Sequence, residues 1–191
     1  MASHTLLVRL HGRPAAGVPR WAVRAAYVTA LLVLPAGLWR ILAVDLRVPL
    51  MDVGPTDAAP EWFGFEWWYV IGLSVVSESL AFLAIGLVSE WGEVWPRWIP
   101  WAGGRRVPVM AAVIPAGLGA AMNTLLWSYG MTMISLGYRV DGSADPGPAV
   151  SPTGWKAVVF FGAYWPLAAW GPLLAVLTVH YYRRRTQTVV R

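Results

Sequence analysis

The sequence predicts an all-α protein, a bundle of four transmembrane helices with both termini in the cytoplasm. Four long apolar stretches separated by polar loops predict the spans, because about 20 apolar residues cross a bilayer as a helix. Charged residues make up 13% of the 191-residue chain, against about 25% in soluble domains. Thirteen tryptophans are typical of a protein whose aromatic side chains lie at the membrane–water interface.

The length leaves no room for a separate soluble domain. A cytoplasmic tail, a transmembrane domain and a basic cytoplasmic tail are predicted at residues 1–20, 21–182 and 183–191. The spans are predicted at residues 21–44, 67–89, 108–137 and 155–181. Residues 1–20 lack the apolar core of a secretory signal peptide, so we expect the first apolar stretch to remain as a span.

Prolines are expected to bend or break three of the four spans, because proline removes a backbone N–H and clashes with the preceding turn. Pro35 lies in span one, and Pro166 and Pro172 lie in span four. Span three would measure about 45 Å as a helix, against a hydrocarbon core of about 30 Å. It must therefore tilt, kink at Pro115 or extend beyond the membrane. Its small residues, including Ala116 and Ala120, predict a face for close helix packing.

The basic residues indicate the orientation. Eleven of the fifteen lysines and arginines fall in the N-terminal segment, the loop between spans two and three, and the C-terminal tail. The other four are Arg40, Arg47, Arg139 and Lys156. The positive-inside rule places the eleven-residue side in the cytoplasm, and we expect the cell (plasma) membrane. Arg40, about one turn from the end of span one, is expected to snorkel outwards.

The loop between spans two and three combines aromatic and basic residues. Its tryptophans recur every three or four residues, at Trp91, Trp95, Trp98 and Trp101. We expect them at the cytoplasmic headgroup level, ending in a turn at Gly103 and Gly104. Arg97, Arg105 and Arg106 are expected to contact anionic lipid headgroups. Membrane lipids, with a protein partner or a second copy of the chain, are therefore the predicted partners; nucleic acid is not, because the basic residues lie at the ends of spans.

The same loop resembles a known group of proteins. The segment WGEVWPRWIP at residues 91–100, followed by GGRRVP at residues 103–108, is similar to segments of uncharacterised actinobacterial multi-span integral membrane proteins. The resemblance runs from the second span to the start of the third. It implies a multi-span membrane fold, and that group has no activity to carry over.

Glu78 is the residue that the sequence singles out for chemistry. It is the one carboxylate predicted near the middle of a span, where a charge costs about 3 kcal/mol or more. Ser74 lies one turn earlier on the same helix face, and Asn123 lies near the centre of span three. Tyr164 and Trp170 of span four lie within about a turn of that layer. We therefore expect Glu78 to face inwards as the candidate catalytic acid. The candidate substrate-binding residues are Ser74, Asn123, Tyr164 and Trp170.

Glu78 also has a purely structural interpretation, in which its protonated side chain joins two helices by a hydrogen bond to Asn123 or to a tyrosine hydroxyl.

Other chemistries lack the residues that they need. The chain has no cysteine, which excludes disulfides and thiol catalysis. Its three histidines, His4, His11 and His180, show no metal-ligand spacing, so neither a metal nor a cofactor is predicted.

Three classes of function remain open. The predicted one is a binding or accessory subunit that acts within the membrane, because the apolar spans and short loops require nothing more. The second is a membrane-embedded enzyme on a lipid-soluble, isoprenoid-like substrate, with Glu78 as the acid and tryptophans stabilising cationic intermediates. The third is a subunit of a proton-coupled transporter, which would need oligomerisation to form a pathway.

Overall fold

The computed structural model describes residues 13–51, 64–95, 100, 103–136, 138, 141–143 and 154–187. The helices are α1 (Arg20–Leu31), α2 (Leu34–Arg40), a π-helical segment (Ile41–Asp45), α3 (Phe65–Gly86), a 3-10 turn (Glu90–Gly92), α4 (Val109–Ser135), α5 (Trp155–Tyr164) and α6 (Leu167–Gln187). Over these described ranges the only β-structure is two isolated bridges. The predicted all-α class is confirmed.

Four helical stretches are long and apolar enough to cross a membrane. They are span one (Arg20–Asp45), span two (Trp67–Gly86), span three (Val109–Met133) and span four (Trp155–Gln187). Each falls on a span that the sequence predicts, with ends shifted by a few residues. The largest shift is in span four, because α6 continues to Gln187 and includes the arginines assigned to a basic tail.

The prolines act differently in the different spans. Span one breaks between α1 and α2, just before Pro35, which takes a position in the first turn of α2, where a missing N–H is tolerated. Span four breaks between α5 and α6, at Pro166. Both interruptions are confirmed. Pro115 and Pro172 instead lie inside continuous helices, so the interruption expected at Pro172 does not occur.

The four spans lie side by side in the spatial order span three, span four, span one, span two. The most extensive contacts join α4 to α6, α1 to α3 and α1 to α6. Span three therefore lies at one edge of the molecule, and only 6% of its most apolar stretch is buried, against 28–33% in the other spans. Its remaining surface is apolar and faces outwards, as a helix in contact with lipid requires.

Small residues allow the central helices to approach closely. Ala22 and Ala26 of α1 are fully buried against Ala81 and Ala84 of α3, the arrangement by which membrane helices gain contact area without large side chains between them. A second apolar cluster lies where α2 and the π-helical segment meet α5. It contains Trp39, Ala43, Leu50 and Ala163.

A close helix contact joins α6 to α4. A Cβ atom added at Gly171 would lie 2.9 Å from the Ala120 carbonyl oxygen and would overlap Thr124 Oγ1. Ala120 is buried and Ala116 packs against the same core, so the small-residue face predicted on span three is confirmed at these two alanines. The absence of a side chain at Gly171 lets the two backbones meet.

Loop contacts place three parts of the chain at one end of the molecule. Arg184 Nη1 donates to the Ala16 carbonyl at 3.0 Å, and Ala15 N donates to the Val88 carbonyl at 2.9 Å. The N-terminal segment, the end of span two and the end of span four are therefore neighbours. At the opposite end, Lys156 Nζ donates to the Met51 carbonyl at 3.0 Å.

Glu93 joins the loop between spans two and three to α6. Its two carboxylate oxygens form ion pairs with Arg184 Nη2 at 2.5 Å and Arg185 Nη1 at 3.2 Å. Arg185 Nη2 also donates to the Val107 carbonyl at 2.8 Å. We name Glu93, Arg184 and Arg185 the Glu93 clamp. These two arginines are thus part of the tertiary structure, beyond the topological role that the sequence suggests.

The loop held by this clamp folds back on itself. Trp95 N donates to the Arg105 carbonyl at 2.9 Å, and Gly104 N donates to the Trp95 carbonyl at 2.9 Å. Gly104 has φ +77°, a conformation that favours glycine, which confirms the predicted turn. Trp91 stacks on Phe82 of α3 at a centroid distance of 5.7 Å. Arg97, Trp98 and Trp101 lie outside the described residues.

Candidate functional site

Glu78 lines a groove between span one and α3. The groove has a volume of about 730 Å³ and is lined by Tyr27, Ala30, Leu31, Leu34, Glu78, Ser79, Leu80, Phe82, Leu83 and Ile85. Leu31, Leu80 and Leu83 are each more than half exposed, so the groove opens sideways, towards the surroundings of the helices. Glu78 is the one carboxylate among its lining residues.

The carboxyl group of Glu78 rests against the backbone of α2. A Cβ atom added at Gly37 would lie 3.3 Å from Glu78 Oε1, so a side chain there would crowd the carboxylate. Oε1 is buried and has no hydrogen-bond partner among the described residues. Burying a polar oxygen without a partner costs free energy. Glu78 therefore faces span one with an oxygen available to a ligand or to water.

Arg40 supplies a positive charge that acts on this carboxyl group. Its Nε donates to the Ala36 carbonyl at 3.3 Å, one turn back towards the middle of the span, and the residue is half-buried. Its charge acts on both Glu78 and Tyr164. The outward snorkelling expected for Arg40 does not occur, because its side chain runs back along α2, as helical side chains generally do.

Asp45 is a second buried carboxylate, which the sequence places in a loop. It ends the π-helical segment, is 4% exposed, and neither of its oxygens has a hydrogen-bond partner among the described residues. π-helical turns are rare and frequent at functional sites. The sequence indicates the burial of Asp45 only weakly. Asp45 directly follows an apolar stretch, and a helix longer by one residue is enough to place it inside the span.

The structure brings two of the four candidate binding residues to this region. Ser74 lies on α3 one turn before Glu78, is 4% exposed, and has no partner for its Oγ within the described residues. Tyr164 packs edge-on against Trp39 at a centroid distance of 5.4 Å and lies within the influence of Arg40. Both therefore belong to the region around span one and α3.

Asn123 and Trp170 lie elsewhere. Asn123 Nδ2 donates to the Leu167 carbonyl of α6 at 3.3 Å, so it does not form the hydrogen bond to Glu78 that the structural interpretation expects. Trp170 packs in the apolar core and does not line the groove. Both outcomes follow from the packing order. Span three packs against span four, whereas α3 packs against span one.

Among the described residues, no group of histidine, aspartate and glutamate side chains is arranged to hold a metal ion. His180 packs edge-on against Trp21 at 5.1 Å, and His4 and His11 lie outside the described residues.

No known protein family matches the sequence, and no curated protein or solved structure is significantly similar to it. The resemblance to actinobacterial multi-span proteins stays a prediction.

Proposed function

We propose that this chain is a multi-pass protein of the cell (plasma) membrane, with both termini in the cytoplasm, that acts within the bilayer as a binding or accessory protein. The observation that carries the proposal is the groove between span one and α3. It combines apolar walls with a single carboxylate, and ligand pockets are commonly apolar with a few polar groups that set orientation.

The geometry favours an amphiphilic ligand that enters from the lipid. Apolar side chains, four of them leucines, line most of the groove, which suits a hydrocarbon chain. Glu78 Oε1, unpartnered among the described residues, suits one hydrogen-bonding group on that ligand. A bound polar group would remove the cost of leaving this oxygen without a partner.

Basic residues at the end that carries the Glu93 clamp support the proposed orientation. Arg20, Arg24, Arg105, Arg106 and Arg183 are exposed there. Exposed arginines beside a membrane attract anionic headgroups, at about 1 kcal/mol per residue near the surface. Anionic lipids of the cytoplasmic leaflet are therefore the proposed partners of this end.

Analysis of co-purifying molecules tests the binding proposal. The full-length protein, Leu83→Trp and Leu126→Trp would be purified in the same mild detergent, and their bound lipids compared by mass spectrometry. Leu83 lines the groove, whereas Leu126 is 61% exposed on α4. We expect an amphiphile retained by the wild type and by Leu126→Trp but lost from Leu83→Trp. Identical lipids in all three samples would contradict a groove-bound ligand.

A membrane-embedded enzyme on a lipid-soluble, isoprenoid-like substrate is the second candidate. The observation that favours it is the position of Glu78, whose buried Oε1 lies beside Gly37 at an apolar groove. Glu78 would donate the proton, as positioned carboxylic acids do. If so, Glu78→Gln would retain the amphiphile and abolish its conversion; unchanged conversion would remove Glu78 from the mechanism.

A further inference from the structure

Buried polar atoms form a row along the seam between span one and α3. Both carboxylate oxygens of Asp45, Oγ of Ser74 and Oε1 of Glu78 are buried, and none has a hydrogen-bond partner among the described residues. Each such atom costs about 1–3 kcal/mol when left unpaired. Several on one seam indicate a shared partner that the described residues do not supply.

The contact between Gly37 and Glu78 sets the register of this row. Span one and α3 run antiparallel, because Ala15 and Val88 meet at one end, and α3 packs against both α2 and the π-helical segment. At 1.5 Å per residue, Ser74 lies about 6 Å and Asp45 about 12 Å along the seam from the level of Glu78. The row therefore runs from Glu78 to the far end of span one.

The far end of the row lies beside an exposed loop. Asp45 is followed directly by Leu46, Arg47 and Val48, which are exposed. Lys156 of α5 donates to Met51 at the same end. Among the described residues, the charged and titratable groups near the row are Arg40, Arg47 and Lys156, with Tyr164 on α5 and Tyr27 in the groove beyond Glu78. The buried polar atoms thus extend from the face at residues 46–51 as far as Glu78, beyond which the groove walls are mostly apolar.

We propose that this seam is a hydrated half-channel that carries protons between the face formed by residues 46–51 and Glu78. Asp45 exchanges a proton with water at that face, water beside Ser74 relays it, and Glu78 receives it; each transfer moves one proton from one oxygen to the next. Buried water typically makes about three hydrogen bonds to otherwise unpaired polar groups. The path ends at Glu78 because the groove beyond it is apolar. The proposal holds whether or not the groove binds an amphiphile.

Single-cysteine variants test water access directly, because the chain has no cysteine of its own. Ser74→Cys places a thiol in the middle of the row. Val76→Cys is the matched control, two residues along α3 with 54% exposure on the outer surface. Ser143→Cys, exposed in the loop between spans three and four, reports a fully wet position.

The full-length variants in lipid nanodiscs would be treated with a small, charged, thiol-specific reagent. Thiols react as thiolates, which form in water and not in an apolar environment, so we expect Ser74→Cys to react at least about tenfold faster than Val76→Cys. Ser143→Cys should react fastest. Equal and slow reaction at positions 74 and 76, with normal labelling at position 143, would overturn the hydrated seam.

Infrared spectroscopy of the wild-type protein and of two single variants tests proton occupancy independently of cysteine labelling. We expect a carboxylic acid C=O band at neutral pH that shifts on transfer to D₂O, and that loses part of its intensity in Asp45→Asn and in Glu78→Gln. A missing band, or one that D₂O leaves unchanged, would overturn the proposal. Lipid retention by the groove is measured separately, so failure of the binding proposal would not alter either result.

Discussion

At the scale of single residues, the distinctive feature is the influence of the Arg40 guanidinium on the Glu78 carboxyl group, both within candidate spans. A lone carboxylate at the bilayer centre is costly, and so is a lone guanidinium. Arg40 runs back along α2 to Ala36, and its field reaches Glu78. Each side chain therefore reduces the cost of the other, while the close approach of Glu78 to α2 depends on Gly37.

A double-mutant cycle tests this pairing. Glu78→Leu and Arg40→Leu should each destabilise the protein, because each leaves the other polar side chain in an apolar span without the group that acts on it. The double variant should be more stable than the sum of the two effects predicts, with a coupling of about 1–3 kcal/mol. Unfolding in detergent, followed by circular dichroism, measures the three changes.

A distant pair provides the control for that cycle. Arg40→Leu combined with Glu93→Gln should be additive within about 0.5 kcal/mol, because the two sites share no partner. Equal coupling in both cycles would show that Arg40 acts through global stability and not through Glu78.

At the scale of helices, the α4–α6 contact decides whether span three joins the molecule. Span three is the least buried of the four, and its main contacts are with α6. Gly171 provides a close one, against Ala120 and Thr124. Asn123 adds a hydrogen bond to Leu167 on the same side. Polar contacts of this kind typically contribute about 0.6–2 kcal/mol between membrane helices.

Gly171→Ala should therefore loosen α4 from α6. The added methyl group would lie 2.9 Å from the Ala120 carbonyl oxygen, and a helical backbone cannot move away locally, so we expect a loss of about 1–3 kcal/mol. Gly130→Ala is the matched control, because a Cβ there meets nothing within 4 Å. Thermal unfolding of both variants in one detergent provides the comparison; equal midpoints would contradict the close contact.

At the scale of the whole molecule, the Glu93 clamp gathers segments that are far apart in sequence. Glu93 pairs with Arg184 and Arg185, Arg184 reaches Ala16, and Tyr181 Oη donates to the Gly92 carbonyl at 3.3 Å. The segment at Ala16, the last turns of α6 and the central loop are thereby tied together. The opposite end has the Lys156–Met51 contact, which connects the first loop to span four.

Glu93→Gln should weaken the clamp end selectively. The substitution removes the negative charge that pairs with both arginines. Charged hydrogen bonds contribute about 1.5–3 kcal/mol each before solvent screening, so we expect the free energy of unfolding to fall by about 1–2 kcal/mol. Glu90→Gln, three residues earlier and exposed, should have little effect. Limited proteolysis with trypsin should cut after Arg184 or Arg185 faster in Glu93→Gln; equal rates in the two variants would contradict the clamp.

The proposed topology makes a separate prediction for the intact molecule. Reporter fusions at Gly103 and after Gln187 should give a cytoplasmic signal, and a fusion at Ser143 should give the opposite signal. The reason is the asymmetry of eleven basic residues to four, which favours the more basic side inside the cell. A fusion at Gly103 reporting from outside would reverse the orientation while leaving the helix packing intact.

The sequence by itself determined the features that depend on local composition. Span positions follow from about 20 consecutive apolar residues, and the breaks before Pro35 and at Pro166 follow from a missing N–H. The turn at Gly104 follows from its tolerance of positive φ. Glu78 and Ser74 were identifiable as neighbours because a helix repeats every 3.6 residues. None of these inferences requires knowledge of which helix contacts which.

Only the tertiary structure decided the partners of each helix. Hydropathy is nearly alike in the four spans, so it contains no information on their order, and the expected neighbour of Glu78 on span three, Asn123, contacts α6 instead. The burial of Asp45, the inward course of Arg40 and the pairing of Glu93 arise from the same packing. These features depend on distances between distant parts of the chain, which are set when small residues such as Gly37 and Gly171 let particular helices meet.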